Sequence, residues 1–156
     1  MSPFETPPPG GTGSTGRIRQ GDRDKAYRPL PPSARRAAFD AGLAAYARGE
    51  YFGAHEELEP AWMGTDDLAE RALHQGLIKV AAAYVHAGRG NPVGVAKNLA
   101  GARRHLALAG AAGIAWGVDV PALLADIDAR LARLDAAAGL PALDRTAPVI
   151  RRLPRA

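Results

Sequence analysis

The most chemically loaded run in the chain is His55-Glu56-Glu57-Leu58-Glu59, closed by Trp62. On a helix, Tyr51, His55, Leu58 and Trp62 share one stripe, and Phe52, Glu56, Glu59 and Met63 form its neighbour. His55 then stands on a largely apolar face with Glu59 one turn away, within reach to orient its imidazole. A second polar stripe follows in Gln75, Lys79 and His86, opposite Leu73, Leu77, Val80 and Tyr84. If the two polar edges meet across a shallow cleft, His55, Glu56, Glu59, Trp62, Gln75, Lys79 and His86 line it. If they face water, His55 is a core-edge histidine satisfied by Glu59, and the second stripe is the wet side of a surface helix.

Two functions suit such a cleft. One is a binding or scaffold module whose groove holds a small molecule, a peptide or a second copy of the chain. The other is a metal-dependent hydrolase or related small-molecule enzyme, with a divalent metal as cofactor. His55, His86 and Glu59 would be its ligands, with Glu56 or Glu59 as general base. More specific chemistries fail on spacing. His55-Glu56-x-x-Glu59 lacks the second histidine of the zinc-protease pattern His-Glu-x-x-His. A di-iron bundle needs Glu-x-x-His, whereas Glu70 and His74 are four apart. No phosphate loop of the Gly-x-x-x-x-Gly-Lys-Ser/Thr kind occurs, and the serines and threonines fall in loose or capping positions, which gives a serine nucleophile no support. Arg103, Arg104 and His105 sit late in a helix, where positive charge suits the carboxyl end.

These residues need helices to position them, and helix signals dominate from Ser33 to Ala138. Ser33 can cap a first helix that ends at Gly49; a second runs from about Glu50 to Met63, with Pro60 near its end. Asp66 or Asp67 can cap a long third helix to Ala87, about 33 Å at the usual rise per residue. Asn91-Pro92 opens a fourth helix to Ala109, and Asp119 to Pro121 opens a fifth to Ala137. The short joints at Gly49 and Gly90 make the expected fold an all-α, compact bundle of about five helices arranged as antiparallel hairpins. A loose echo of tetratricopeptide spacing, Gly49-x-Tyr51-x-x-Ala54-x-x-x-Leu58, fits hairpin packing, but 41 residues separate the two glycines, against about 34 in that repeat.

Outside residues 33–138 the composition changes. Residues 1–32 are rich in Pro, Gly and Arg and read as a disordered basic arm; residues 139–156 read as a loose basic tail in which Val149 and Ile150 can dock. Net charge is +4, yet residues 33–138 hold 11 Lys/Arg against 12 Asp/Glu, so the excess lies in the arms and no nucleic-acid groove is indicated. With no cysteine, neither a disulfide framework nor a thiolate site is available. No apolar run reaches the roughly 20 residues a spanning helix needs, and the first 30 residues lack a secretory core. A cytoplasmic protein without a membrane partner is therefore expected, and its Ala-rich helices would permit a homo-oligomer.

The runs Tyr51-Phe52-Gly53-Ala54-His55-Glu56-Glu57-Leu58-Glu59 with Trp62, and His74-Gln75-Gly76-Leu77-Ile78-Lys79 followed by His86 and Arg89-Gly90-Asn91-Pro92, resemble domain-of-unknown-function family 309. The likeness covers roughly residues 39 to 108, and Pro60 stands where that pattern usually has Glu. It implies a small helical bundle with His55, Glu56, Glu59, Trp62, Gln75 and His86 at the family's polar positions. It implies no activity.

Overall fold

In the computed structural model, residues 16–20, 23–136 and 143–154 are described. Six helices follow a two-stranded hairpin: β1 (Gly16–Gln20), β2 (Arg23–Tyr27), α1 (Pro32–Ala47), α2 (Tyr51–Met63), α3 (Leu68–Gly88), α4 (Pro92–Ala107), α5 (Ala111–Ala115) and α6 (Val120–Ala136). The helical architecture is the one expected, with a short α5 added inside the glycine-rich link before Val118.

Local chemistry fixes most helix boundaries. Asp67 accepts a hydrogen bond from the Glu70 backbone N–H at 2.8 Å, and Asn91 accepts one from Gly94 at 3.1 Å; each satisfies a donor that an uncapped α3 or α4 would leave orphaned. Asp119 does the same for Ala122 at the start of α6. The first helix departs from expectation. Its N-cap is Pro31 and Pro32 is its first residue, so Ser33 lies inside the first turn and makes no cap bond. Pro32 presets the backbone of the first turn, and the Pro31 carbonyl already accepts from the Ala34 and Arg35 N–H groups, which starts the helix ahead of Ser33. Gly49 and Gly90 adopt positive φ, 78° and 67°, which lets α1 reverse into α2 and α3 into α4 within a few residues.

The helices pack in chain order, α1 on α2, α2 on α3 and α3 on α4, and α6 returns to lie on α4. At 21 residues α3 is the central element, and Leu73, Leu77 and Val80 on it join Phe39, Leu58, Leu99, Leu106 and Ile127 in one core. Its approach to α4 is close. A Cβ on Gly76 would lie 2.6 Å from Leu106 side-chain carbons and 3.3 Å from the Leu106 backbone nitrogen.

Both ends of the chain hold more structure than their composition indicates. The arm read as disordered contains the β1–β2 hairpin, with Gly16 opposite Tyr27; beyond it, Arg28 and Leu30 donate to the Met63 and Gly64 carbonyls at the end of α2. Residues 1–15 of that arm lie outside the described residues. The tail read as loose is docked over residues 143–154, where Leu143, Ala147 and Ile150 pack on the core. The Tyr46 hydroxyl donates to the buried Pro148 carbonyl, Arg152 bridges Val118, and Leu153 donates to Gly117. Arg130 of α6 donates to the Thr146 carbonyl and the Tyr84 hydroxyl, which secures the same segment from the other side.

The α3–α4 approach makes a prediction. Gly76→Ala, which must displace a buried Leu106, is expected to cost about 1–3 kcal/mol, whereas Gly88→Ala, with open space around its Cβ, is expected to be neutral or to stabilise by up to about 1 kcal/mol. Urea unfolding of both variants checks this. Equal stabilities would refute the close approach.

Candidate functional site

The seven residues expected to share a cleft fall in different places. On α2, His55 is half-buried with its ring nearly parallel to that of Phe52, centroids 6.5 Å apart; Glu56 is exposed, Glu59 half-buried and Trp62 in the core. No hydrogen bond joins His55 to Glu59 among the described residues. On α3, Gln75 is buried with its Oε1 unpartnered, and the other two stripe residues turn toward α4. The Lys79 side chain lies where a Cβ on Gly101 would be, and the His86 ring where one on Gly94 would be, with Asn91 Nδ2 3.2 Å from His86 Nδ1. The stripe therefore meets α4, not the polar edge of α2. Small residues on α4 leave room for these polar side chains at the helix seam, an outcome that the periodicity of α3 alone does not encode. Among the described residues no group of three or more His, Asp or Glu side chains can hold a metal ion, so His55, His86 and Glu59 do not form the expected metal centre.

A different set converges where α1, α3 and α5 meet. Glu70, in the first turn of α3, is only 7 % exposed, and its carboxylate must be compensated from within. Arg35 of α1 supplies two bonds, Nε to Oε2 at 2.7 Å and Nη2 to Oε1 at 3.1 Å. His74, one turn along α3 and fully buried, places Nε2 3.1 Å from Oε2. Burial opposes ionisation of Glu70, but the bonds from His74 and Arg35 outweigh it and hold its carboxyl below the ordinary range. Burial likewise lowers the pKa of His74, against the pull of Glu70. The imidazole is thus neutral at pH 7. Its Nε2–H donates to the carboxylate, and Nδ1 is left as a buried acceptor without a partner. Phe39 and Trp116 enclose the ring edge-on, at centroid distances of 5.7 and 4.7 Å.

Trp116 links this interior to the surface. Its ring carries the Arg36 guanidinium at 4.0 Å, and together with Arg36, Arg152, Ile114 and Leu153 it lines an open cleft of about 690 Å³. A second cleft of about 480 Å³ lies beside it, lined by Asp40, Tyr46 and Tyr51 on the helices and by residues 147–150 and Arg152 of the docked tail.

The model of a family described as a domain of unknown function, DUF309, matches residues 39–98. Over this stretch the chain is similar to that family. No curated protein and no solved structure matches the chain. The DUF309 stretch holds all seven expected residues together with Glu70 and His74, while Arg35, Arg36, Trp116 and Arg152 lie outside it. The cleft is therefore lined by segments that flank the matched stretch. Of the residues missed from the sequence, Glu70 and His74 had a visible signal, a carboxylate and an imidazole one helical turn apart. Arg35, Arg36, Trp116 and Arg152 had none, because their partners lie 35 to 112 positions away.

The pair predicts acid sensitivity. An unfolded His74 takes up its proton near the ordinary value of 6.5 and the folded one only at lower pH, so its contribution to stability is complete above 6.5 and is lost below it. Glu70 acts with the same sign at lower pH, its contribution being complete above 4.5 and lost as pH falls through its lowered value. His105 on α4, whose pKa burial and the nearby Lys79, Arg104 and Arg71 also lower, adds to the upper step. The urea midpoint should fall between about pH 7.5 and 5.5, and the fall should shrink in His74→Gln while the loss below about pH 4.5 persists. An undiminished fall in the variant would assign the upper step to other groups.

Proposed function

We propose that the chain is a binding module whose ligand occupies the cleft at Trp116. The observation that carries this reading is a cleft of about 690 Å³ walled by an indole and two guanidiniums and backed by the hydrogen-bonded Glu70–His74 pair. A volume of this order suits a small molecule, and an aromatic wall with a few fixed polar groups is the usual lining of such a site. Geometry also favours binding over acid–base chemistry. His74, the imidazole oriented by a carboxylate, is fully buried and sealed by aromatic rings, beyond the reach of a substrate, while the more accessible His55 and His86 have no carboxylate bonded to them among the described residues. A base needs both access and an orienting partner. The pair supports the wall through packing: His74 holds Trp116 edge-on, and Glu70 holds His74.

Nitrogen–proton correlation NMR on the full chain tests the proposal, since the two tryptophans give two indole resonances that Trp116→Phe assigns. Titration with small aromatic acids, amines and alcohols is expected to shift the Trp116 indole and the amides of 114–117 and 152–153, leaving Trp62 in place. Shifts centred on Trp62, or none, would overturn the reading.

A further inference from the structure

We infer that the ligand of the Trp116 cleft is a small organic anion, its carboxylate or phosphate held by Arg36 and Arg152 and its apolar body laid against Ile114 and Leu153 beside Trp116. The inference rests on the binding reading above and adds the ligand's chemical class.

The two guanidiniums stand on a common aromatic base, since the Cζ of Arg36 and that of Arg152 both lie within 6 Å of the Phe39 ring centroid. Each is oriented from one side only. Arg36 donates from Nη1 to the Trp116 carbonyl and from Nη2 to the Ala115 carbonyl, both at 3.3 Å, which ties it to the last turn of α5. Arg152 donates from Nε to the Gly117 carbonyl and from Nη2 to Asp40, both at 3.4 Å. A guanidinium carries five N–H groups, so each arginine keeps donors in reserve. The contacts already made are long for charge-assisted bonds, which run to about 2.7–2.9 Å. An incoming anion can therefore gain short bonds without breaking strong ones. Arg152 is thus partly balanced by Asp40 at 3.4 Å, while Arg36 is oriented by carbonyls alone among the described residues.

The balance of charge points the same way. The lining of this cleft holds Arg36 and Arg152 and no acidic residue; Asp40, the carboxylate nearest Arg152, lines the neighbouring cleft. A polyanion is a poor match, because the helical region as a whole carries about as many acids as bases. One anionic group fits better. The rest of the lining is Ala115, Gly117, Leu153, Pro154, the small exposed part of Trp116 beneath Arg36, and Ile114, which is left 75 % exposed. A ligand with one charged end and a flat hydrocarbon body would cover that surface while its head meets the guanidiniums.

Phenylacetate, phenyl phosphate and benzyl alcohol present the same ring with a carboxylate, a phosphate and a neutral head. Their affinities for the full chain are to be measured by NMR titration of the Trp116 indole, in wild type, Arg152→Gln and Arg36→Lys, with thermal unfolding confirming that each variant is folded. At least one anion should bind about tenfold tighter than the alcohol, and the stronger of the two identifies the head group. Arg152→Gln should weaken that anion about fivefold or more and leave the alcohol unchanged, and Arg36→Lys should weaken it less, since charge is kept and the planar fork lost. Equal affinity for alcohol and anions, or an anion affinity unmoved in folded Arg152→Gln, would overturn the anion assignment and leave the cleft as a binding site. Failure of all three probes to shift Trp116 would remove both.

Discussion

A carboxylate withdrawn from water must be compensated inside the protein, and Glu70 is compensated from two helices, by a counter-charge on one and a neutral donor on the other. Arg35 reaches it from α1 and His74 from the next turn of α3. Removing Arg35 would leave a buried charge without its cation, a penalty far larger than the net value of the intact pair. Because of this, α1 and α3 have one relative placement in which the network is satisfied. That placement sets Phe39 against His74, and both against Trp116. The aromatic cluster then fixes where α5 must end, and the end of α5 provides the carbonyls that seat Arg36. A polar requirement in the interior thus determines the form of the surface above it.

Much of the helical plan was legible because it depends on neighbours in sequence. Asp67 and Asn91 cap helices three residues ahead of the N–H they serve, and Gly49 and Gly90 turn the chain where a side chain would strain it. The start of α1 was misread for the same local reason: Pro32 fits the first helical position, and the Pro31 carbonyl opens the helix before a serine cap could. The ends of the chain were harder. β1 and β2 lack the β-branched runs by which strands are recognised, and the tail is held by backbone bonds to Gly117 and Asp119 that its prolines and arginines do not announce.

The polar stripe of α3 shows the boundary of what periodicity can say. It separates one face of the helix from another correctly, since Leu73, Leu77 and Val80 do enter the core. It does not say what covers the other face. Lys79 and His86 lie over Gly101 and Gly94, so the answer was written on α4, in residues whose contribution is the side chain they lack. The likeness to DUF309 covers Lys79, His86 and Gly94 without giving them a task.

The wall of the Trp116 cleft is assembled from distant parts of the chain: Arg36 reaches a carbonyl 80 positions on, and Arg152 contacts an acid 112 positions back. During synthesis from the amino end the cleft cannot close until the last helix has been made and the chain has turned back across α1. The segment that completes it has no helix of its own and is held by the packing of Leu143, Ala147 and Ile150 and by hydrogen bonds, some to exposed groups. Because the cleft exists only when both ends of the chain are in place, its occupancy reports whether the whole chain, and not the central bundle alone, is folded.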